Sequence, residues 1–153
     1  MFRGNFTHTV DSKGRVFLPA KWREELTENV VIAFDESMRE TGSLQLCSAD
    51  VWDKRFDKYD DNSDPMDPGS GEFLSALAST ASDVEVDKMG RVLIPKMHLT
   101  RYGIETEVVI SGDRNRIRLW KPESYEAFIT RNAENSEEGR RAIMNRMDKN
   151  GQQ

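Results

Sequence analysis

The sequence of 153 residues contains one cysteine, Cys47, and no long apolar run. A single cysteine cannot form an internal disulfide, and such scarcity is typical of proteins from a reducing compartment. No apolar stretch approaches the roughly 20 residues that a membrane-spanning helix needs. The opening segment, MFRGNFTHTV, has no apolar region of the kind found in signal peptides. We therefore expect a cytoplasmic protein that does not associate with a membrane.

Patterns typical of metal sites and catalytic sites are also absent from the sequence. The two histidines, His8 and His98, have no cysteine or histidine partner nearby in sequence, so we expect no metal site. The acidic run over 57–67 lacks the glycine and terminal glutamate of an EF-hand loop. No nucleophile motif is present, and Cys47 is interpreted as a small buried residue. We expect no catalytic residues, no cofactor and no small-molecule substrate; the chain is predicted not to be an enzyme.

Charge is distributed unevenly along a chain whose net charge is −5. Residues 50–87 contain eleven acidic residues and three basic ones. Residues 1–23 contain a single acidic residue, Asp11, and five basic ones. A nucleic-acid-binding face needs local positive potential rather than a positive total. The N-terminal region is therefore compatible with a nucleic-acid partner, and its basic residues are Arg3, Lys13, Arg15, Lys21 and Arg23.

A ten-residue phrase occurs twice in the chain. VDSKGRVFLP begins at Val10 and VDKMGRVLIP begins at Val86, with six identical positions. The similarity continues beyond the phrase, because NVVIAF resembles EVVISG and SLQLCSADVWDKRF resembles RIRLWKPESYEAF. Self-similarity at a fixed spacing indicates a structural repeat. We expect each copy to have the element order ββαββα.

Local residue chemistry supports that order. NFTHTV alternates as a strand does, and Asp11 to Gly14 is a turn in which glycine adopts positive φ at little cost. Pro19 and Pro95 each follow a short strand and favour the first turn of a helix. Ser48 is a candidate cap for a further helix, and Gly103 is a candidate C-terminal residue for the helix after Pro95.

These signals divide the chain into four parts. We expect a first repeat domain over 5–52, a linker with a short helix over 53–80, a second repeat domain over 81–124, and a helical polar tail over 125–153. The Asp-, Pro- and Gly-rich stretch 60–72 is predicted to be solvated. Within the tail we expect only a weak helix over 137–148 and fraying at the end.

One copy alone exposes strand edges and buries too little surface to be stable. We therefore predict an α+β fold, mostly β, in which the copies pair about a pseudo-twofold axis and interlocking strands close a small barrel. From the residues alone, the repeat is equally compatible with a device for folding only, in which Asp-x-x-Gly-Arg forms a hairpin corner.

The repeated phrases resemble the signature of the AbrB-type swapped-hairpin domain. Two such copies, opening with MFRGNFTHTVDSKGR, are similar to the MraZ family of transcriptional regulators, which carry two SpoVT/AbrB-like domains; the resemblance covers roughly residues 1–128. It implies a double AbrB-like β-barrel that binds double-stranded DNA and forms a ring-like homo-oligomer in the cytoplasm or on the nucleoid. The DNA it implies is a set of short promoter repeats of the division and cell-wall gene cluster, including the regulator's own promoter.

The resemblance places DNA contacts on both phrases. It implies roles for Lys13, Gly14 and Arg15 in the first copy and for Gly90 and Arg91 in the second. Arginine reads guanine in the major groove, and a glycine corner lets the backbone approach DNA closely. We expect Asp11 to support the turn or an arginine rather than to touch DNA. Further basic residues that extend the predicted surface are Arg3, Lys21, Arg23 and Lys88.

The second phrase departs from the first at one basic position. Met89 stands where the first copy has Lys13, and Lys88 stands where it has Ser12. Asp83 and Glu85 precede the second phrase, Asp87 lies within it, and the segment leading to it, GEFLSALASTASDVEVD, contains no arginine. We therefore expect the first copy to dominate DNA contact, with several subunits binding several repeats together. The alternative function is an oligomeric protein-interaction scaffold of the same fold that does not bind specific DNA.

Overall fold

The computed structural model describes residues 1–39 and 41–151. The first copy of the repeat forms β1 (Asn5–Thr9), β2 (Arg15–Phe17), α1 (Ala20–Glu25), β3 (Val30–Phe34), β4 (Leu44–Ser48) and α2 (Ala49–Asp61). After α3 (Pro68–Thr80), the second copy forms β5 (Ser82–Val84), β6 (Arg91–Leu93), α4 (Lys96–Tyr102), β7 (Glu107–Asp113), β8 (Arg116–Trp120) and α5 (Pro122–Gly151). The α+β class is confirmed, and both copies have the order ββαββα.

The short helices begin and end where the sequence indicates. Pro19 and Pro95 occupy the position immediately before α1 and α4, where a missing N–H costs nothing. Gly103 ends α4 in the left-handed conformation, with φ of 64°. Ser48 precedes α2, but its hydroxyl does not cap that helix. Instead it accepts a hydrogen bond of 3.1 Å from the backbone N–H of Thr27.

The strands form a six-stranded antiparallel sheet and a separate two-stranded ribbon. The sheet has the order β1-β7-β8-β4-β3-β5, and the ribbon pairs β2 with β6. The β3–β4 and β7–β8 pairs lie within one copy, whereas β1–β7, β2–β6, β3–β5 and β4–β8 join the two copies. The copies are therefore interlocked rather than stacked side by side.

The pairing register is the same when the two copies are exchanged. In the ribbon, Val16 faces its repeat equivalent Val92, so the Arg15–Leu93 pair is equivalent to the Phe17–Arg91 pair. In the large sheet, the register of β1 on β7 is the same as that of their repeat equivalents, β5 on β3. Each copy therefore supplies the strands that the other lacks.

The expected closed barrel is not present in the part of the chain that the structure describes. β1 and β5 are the two ends of the large sheet and do not pair with one another. The strands that follow β1 and β5 along the chain, β2 and β6, pair with each other in the ribbon, so neither extends the large sheet to close it. Their buried valines still pack into the common core.

Both copies contribute to one hydrophobic core. Trp22 of α1 lies edge-on to Phe2 and Phe6, at ring-centroid distances of 5.8 and 5.3 Å. Trp120 at the end of β8 packs against the first turns of α5. Cys47 is fully buried in β4, as expected, and burial raises the pKa of its thiol to about 11. The thiol is therefore protonated at neutral pH and unreactive.

The connecting segment and the tail are more helical than expected. α2 continues to Asp61 and α3 begins at Pro68, so only residues 62–67 separate these helices. Asp67 caps α3 by accepting a hydrogen bond of 3.0 Å from the Gly69 N–H. α5 is a single helix of 30 residues, and from residue 130 onward its described residues are exposed. The end of the tail where fraying is expected includes residues 152–153, which lie outside the described residues.

Candidate nucleic-acid interface

The first turn of the repeat, residues 11–15, is held by one carboxylate. Asp11 Oδ1 accepts hydrogen bonds from the backbone N–H groups of Lys13 and Arg15, at 2.9 and 2.8 Å. Asp11 Oδ2 accepts from Arg15 Nε at 2.6 Å. The Gly14 N–H closes the turn on the Asp11 carbonyl at 3.0 Å. Asp11 therefore supports both the turn and an arginine, as expected.

The second turn, residues 87–91, reproduces the first. Asp87 Oδ1 accepts from the N–H groups of Met89 and Arg91 at 2.9 and 2.8 Å, and its Oδ2 accepts from Arg91 Nε at 2.8 Å. We call these two turns the first corner and the second corner. Their glycines, Gly14 and Gly90, have φ of 88° and 86°. A residue with a side chain is strained in this left-handed region, which explains glycine at both positions.

Hydrogen bonding keeps both corner carboxylates charged. The backbone N–H of Arg15, and then its guanidinium, lower the pKa of Asp11 below its ordinary value. The backbone N–H and guanidinium of Arg91 do the same to the pKa of Asp87. Each arginine uses Nε for its carboxylate, and within residues 1–39 and 41–151 its Nη atoms have no hydrogen-bond partner. Each guanidinium therefore presents two donor nitrogens to a ligand.

The two arginines lie on one face of one ribbon. Val16 and Val92 face the core, so the residues on either side of each valine face outward. Arg15 is paired with Leu93, and Arg91 is two residues away from Leu93 on the same strand. Such diagonal neighbours are roughly 7–8 Å apart. The corners at the two ends of the ribbon therefore form a single outward surface, not two separate ones.

The two arginines have different surroundings on this face. Arg91 Cζ lies 5.8 Å from the centre of the Phe17 ring, whereas the residue equivalent to Phe17 is Leu93, beside Arg15. The Arg91 side chain is 20% exposed and the Arg15 side chain 32%. Stacking on an aromatic ring restrains a guanidinium. Arg91 is thus the more enclosed arginine and Arg15 the more accessible one.

Each corner packs against a helix of the other copy. Arg23 of α1 lies beside Gly90 in the second corner and donates a hydrogen bond of 3.4 Å to the Met89 carbonyl. Leu99 of α4, the repeat equivalent of Arg23, lies beside Gly14 in the first corner. Arg23 therefore adds its charge to the second corner, although sequence proximity associated it with the first.

A groove beside the first corner has a further cation, Lys96, in its lining. Its volume is about 750 Å³, and Ser12, Lys13 and Lys96 are among its lining residues. Sequence reasoning did not select Lys96, because α4 reaches the first corner only through the interlocked fold. It also missed Phe17 and Leu93, which the alternation in RVF and RVL places on the same strand face as the arginines.

The remaining predicted contact residues are distributed around this surface. Lys13 is exposed in the first corner and Lys88 in the second. Lys21 is exposed on α1 beside the buried Trp22. Arg3 lies at the opposite end of β1 from the first corner, where its backbone packs beside Gly112. Arg3 is therefore not brought to the first corner.

A second polar cluster lies away from the corners and is saturated by its own contacts. Arg116, 5% exposed, donates to Glu36 at 2.9 Å, to Asp113 at 3.0 Å and to Gln45 at 3.1 Å. Burial raises the pKa of Asp113, but the hydrogen bond from Arg114 and the charge of Arg116 outweigh it and lower the pKa to about 2. These contacts join the β3–β4 and β7–β8 connections, which is a structural role.

The described part of the chain contains neither a cluster of metal-ligand side chains nor a membrane-spanning helix. Among residues 1–39 and 41–151, no three His, Cys, Asp or Glu side chains are grouped as metal ligands would be. None of the helices in that part of the chain combines the length and the apolar character needed to cross a bilayer.

Comparison with known proteins decides the family. A family model described as "MraZ protein, putative antitoxin-like" matches residues 1–40 and 77–147. This chain belongs to the MraZ family. Both corners lie within the matched residues, whereas α2 and most of α3 fall in the unmatched segment between them.

Individual MraZ relatives match over most of the chain. The "Transcriptional regulator MraZ" of Limosilactobacillus reuteri (strain DSM 20016) is 34% identical over 146 residues, covering 90% of this chain and 94% of the relative. The protein of the same name from Caldanaerobacter subterraneus subsp. tengcongensis is 36% identical, covering 84% of this chain and 86% of the relative. That of Ligilactobacillus salivarius (strain UCC118) is 32% identical, with 88% and 91% covered.

Proposed function

We propose that this MraZ-family chain is a sequence-specific DNA-binding transcriptional regulator of the cytoplasm and nucleoid. The observation that carries the proposal is the pair of aspartate-held arginines, Arg15 and Arg91, on one exposed face of the β2–β6 ribbon. A two-stranded β-ribbon fits the major groove, and the Nη edge of arginine recognises guanine. Relatives named as transcriptional regulators support the same conclusion.

The DNA we propose is a set of repeated boxes in the promoter of the division and cell-wall gene cluster, including the chain's own promoter. The fold we propose is two AbrB-like swapped-hairpin halves related by a pseudo-twofold axis, supported by the exchangeable strand register. We also propose a ring-like homo-oligomer. One ribbon per subunit is a small contact, and several ribbons on several boxes bind far more tightly through effective concentration.

Phosphate contacts in this proposal come from the cations around the ribbon. Lys13 and Lys96 flank the first corner, and Lys88 and Arg23 flank the second. Two cations therefore flank each corner, although the flanking cations differ in origin. Arg15 is the stronger contact in this proposal because its side chain is more exposed than that of Arg91.

The test is a titration of a promoter fragment from upstream of the chain's own gene, measured by gel shift. Arg15→Ala should weaken binding by roughly tenfold or more, and Arg91→Ala by less, because each substitution removes a bidentate guanine contact. Arg131→Ala on the exposed part of α5 makes the same charge change away from the ribbon and should bind as the wild type does. Unchanged affinity in both ribbon variants would contradict the proposal.

A second candidate is an oligomeric protein-interaction scaffold without specific DNA binding. It is favoured by α5, whose exposed residues beyond Ile129 offer a long surface to another protein. The same gel shift separates the candidates. No complex with the promoter fragment at low salt, together with an intact oligomer by light scattering, would favour the scaffold.

A further inference from the structure

The outward face of the β2–β6 ribbon carries two exposed apolar side chains beside its arginines. Phe17 is 45% exposed and Leu93 is 53% exposed. They occupy equivalent positions in the two copies, each two residues after an arginine. Both lie on one outward face of one ribbon, so they are grouped rather than scattered singly over the surface.

Strand pairing gives each arginine one of these apolar neighbours. Arg15 is directly opposite Leu93, and Arg91 is directly opposite Phe17. Side chains at opposed positions have Cβ atoms about 4.5–5.5 Å apart. The Phe17 ring also stacks with Arg91, and Leu93 lies beside Gly14 in the first corner. The face therefore consists of two mixed pairs, each with one cation and one apolar group.

The charge around these pairs identifies the kind of partner. Lys13 and Arg15 lie at one end of the ribbon, and Lys88 and Arg91 at the other. A second copy of this chain docked through the same face would bring these cations against their equivalents. A polyanion instead neutralises them, and releases counterions as it binds. The occupant that fits both the cations and the apolar groups is double-stranded DNA.

The major groove of DNA offers one apolar group on its base edges, the C5-methyl of thymine. Building on the DNA-binding function proposed above, we propose that Phe17 and Leu93 are specificity-determining residues that contact thymine methyl groups. The paired arginines, Arg91 and Arg15, bind guanines next to those thymines. Each mixed pair thus reads one guanine and one thymine at neighbouring positions.

The experiment removes only the methyl groups. The same promoter fragment is amplified with dUTP in place of dTTP, so that every thymine outside the primers becomes uracil with unchanged base pairing. For each methyl group that packs on the protein, the wild type should bind the uracil fragment about fourfold more weakly. Phe17→Ala and Leu93→Ala should bind the thymine fragment more weakly and discriminate less between the two fragments.

Control variants separate this effect from folding and assembly. Met66→Ala changes an exposed apolar residue outside the ribbon and should discriminate between the fragments as the wild type does. Phe17→Leu keeps an apolar side chain and should recover most of the discrimination. Thermal unfolding and light scattering are measured for every variant, and we expect both to match the wild type.

Each contrary outcome has a distinct meaning. Equal wild-type affinity for both fragments, with Arg15→Ala still impaired, would overturn the thymine recognition and leave the proposed function intact. Full discrimination by the Phe17→Ala, Leu93→Ala double variant would also overturn it. A smaller oligomer in either variant would identify the face as an assembly surface instead. Binding of neither fragment by the wild type would overturn both proposals.

Discussion

At the scale of single residues, each corner aspartate serves two purposes through its two oxygens. One oxygen accepts from two backbone N–H groups and shapes the turn, and the other accepts from the arginine Nε. Asp11 therefore orients Arg15 before any ligand arrives. A pre-oriented side chain loses less conformational entropy on binding than a free one. The same arrangement at Asp87 and Arg91 gives the second corner the same advantage.

Replacing the corner glycine should destabilise the fold. In Gly14→Ala, the new Cβ would lie 3.1 Å from the Ile94 carbonyl oxygen at a φ of 88°. The left-handed conformation alone costs about 1–2 kcal/mol for a residue with a side chain. Gly139→Ala in the exposed part of α5 has nothing within 4 Å and should instead stabilise the helix, by up to about 1 kcal/mol. Urea unfolding measures both, and equal effects would contradict the strain argument.

His98 should make stability depend on pH. The imidazole is fully buried on α4, edge-on to Phe34 at 5.2 Å, and its Nε2 lies 3.4 Å from Ser82 Oγ. Burial lowers its pKa from 6.5 to about 4. Because the pKa of His98 is lower in the folded state than in the unfolded state, the unfolded state binds a proton more readily, and acid therefore favours unfolding. His98 therefore costs no stability above pH 6.5. As the pH decreases from 6.5 toward 4, its burial lowers the free energy of unfolding by up to about 1.4 kcal/mol per pH unit.

The measurement is urea unfolding at a series of pH values for His98→Gln and for His8→Gln. The chain has two histidines, so the second variant is a matched control. The decline between pH 6.5 and 4 should be much smaller in His98→Gln than in His8→Gln. The opposite result would show that His98 is not the buried group responsible.

At the scale of elements, the cross-copy ladders hold the molecule together more than the connecting segment does. Four strand pairings join the two copies, and both contribute valines and leucines to one core. The segment between α2 and α3 adds only six residues, 62–67, to this arrangement. Its covalent continuity is therefore dispensable once the chain has folded.

A chain cut between α2 and α3 should stay assembled. With a site-specific protease sequence inserted at 62–67, the two fragments should elute together in size-exclusion chromatography and separate only in denaturant. The same sequence inserted after Thr130 provides the control, because the described α5 residues beyond that point are exposed and cleavage should release them as a free peptide. Separation of the two large fragments under native conditions would contradict the interlocked pairing.

The short elements are the ones that the sequence predicts best. Pro19, Pro95 and Gly103 mark the ends of α1 and α4 because their backbone preferences act within one or two residues. The length of α5 is harder to predict, because Asn and Gly residues lower helix propensity along a segment that nevertheless forms one helix. The Asp-x-x-Gly-Arg corners are predictable in the same local sense, whereas the position of Arg23 beside Gly90 is not.

At the scale of the whole molecule, the net charge of −5 conceals a basic ribbon face. Acidic residues are concentrated over 50–87, which includes α3 and β5 and nearly all of α2. The cations of the ribbon face come from both copies, since Arg23 and Lys96 reach the corner of the other copy. Folding thus brings together on one surface cations that the chain distributes over residues 13–96.

The salt dependence of DNA affinity should show which of these cations contact phosphate, one substitution at a time. Binding of a polyanion weakens with salt, with a slope of about −0.9 for each phosphate neutralised. Lys13→Ala and Lys88→Ala should each reduce the slope by about one for every corner engaged. Lys54→Ala, an exposed change on α2, is the control and should leave the slope unchanged. Affinity for the promoter fragment between about 50 and 200 mM salt provides the measurement; identical slopes in all three variants would count against phosphate contact at the corners.

The ββαββα order of both copies, the two glycine corners and their aspartate–arginine pairs follow from the amino-acid sequence alone, because they depend on interactions within about five residues. Which strands pair is a property of the tertiary structure. The observed pairing joins β2 to β6 and leaves the large sheet open. It also places Arg15 and Arg91 on one face, with Phe17 and Leu93 beside them. Strand pairing depends on burying both copies together, and residues so far apart along the chain carry no local signal of their contact.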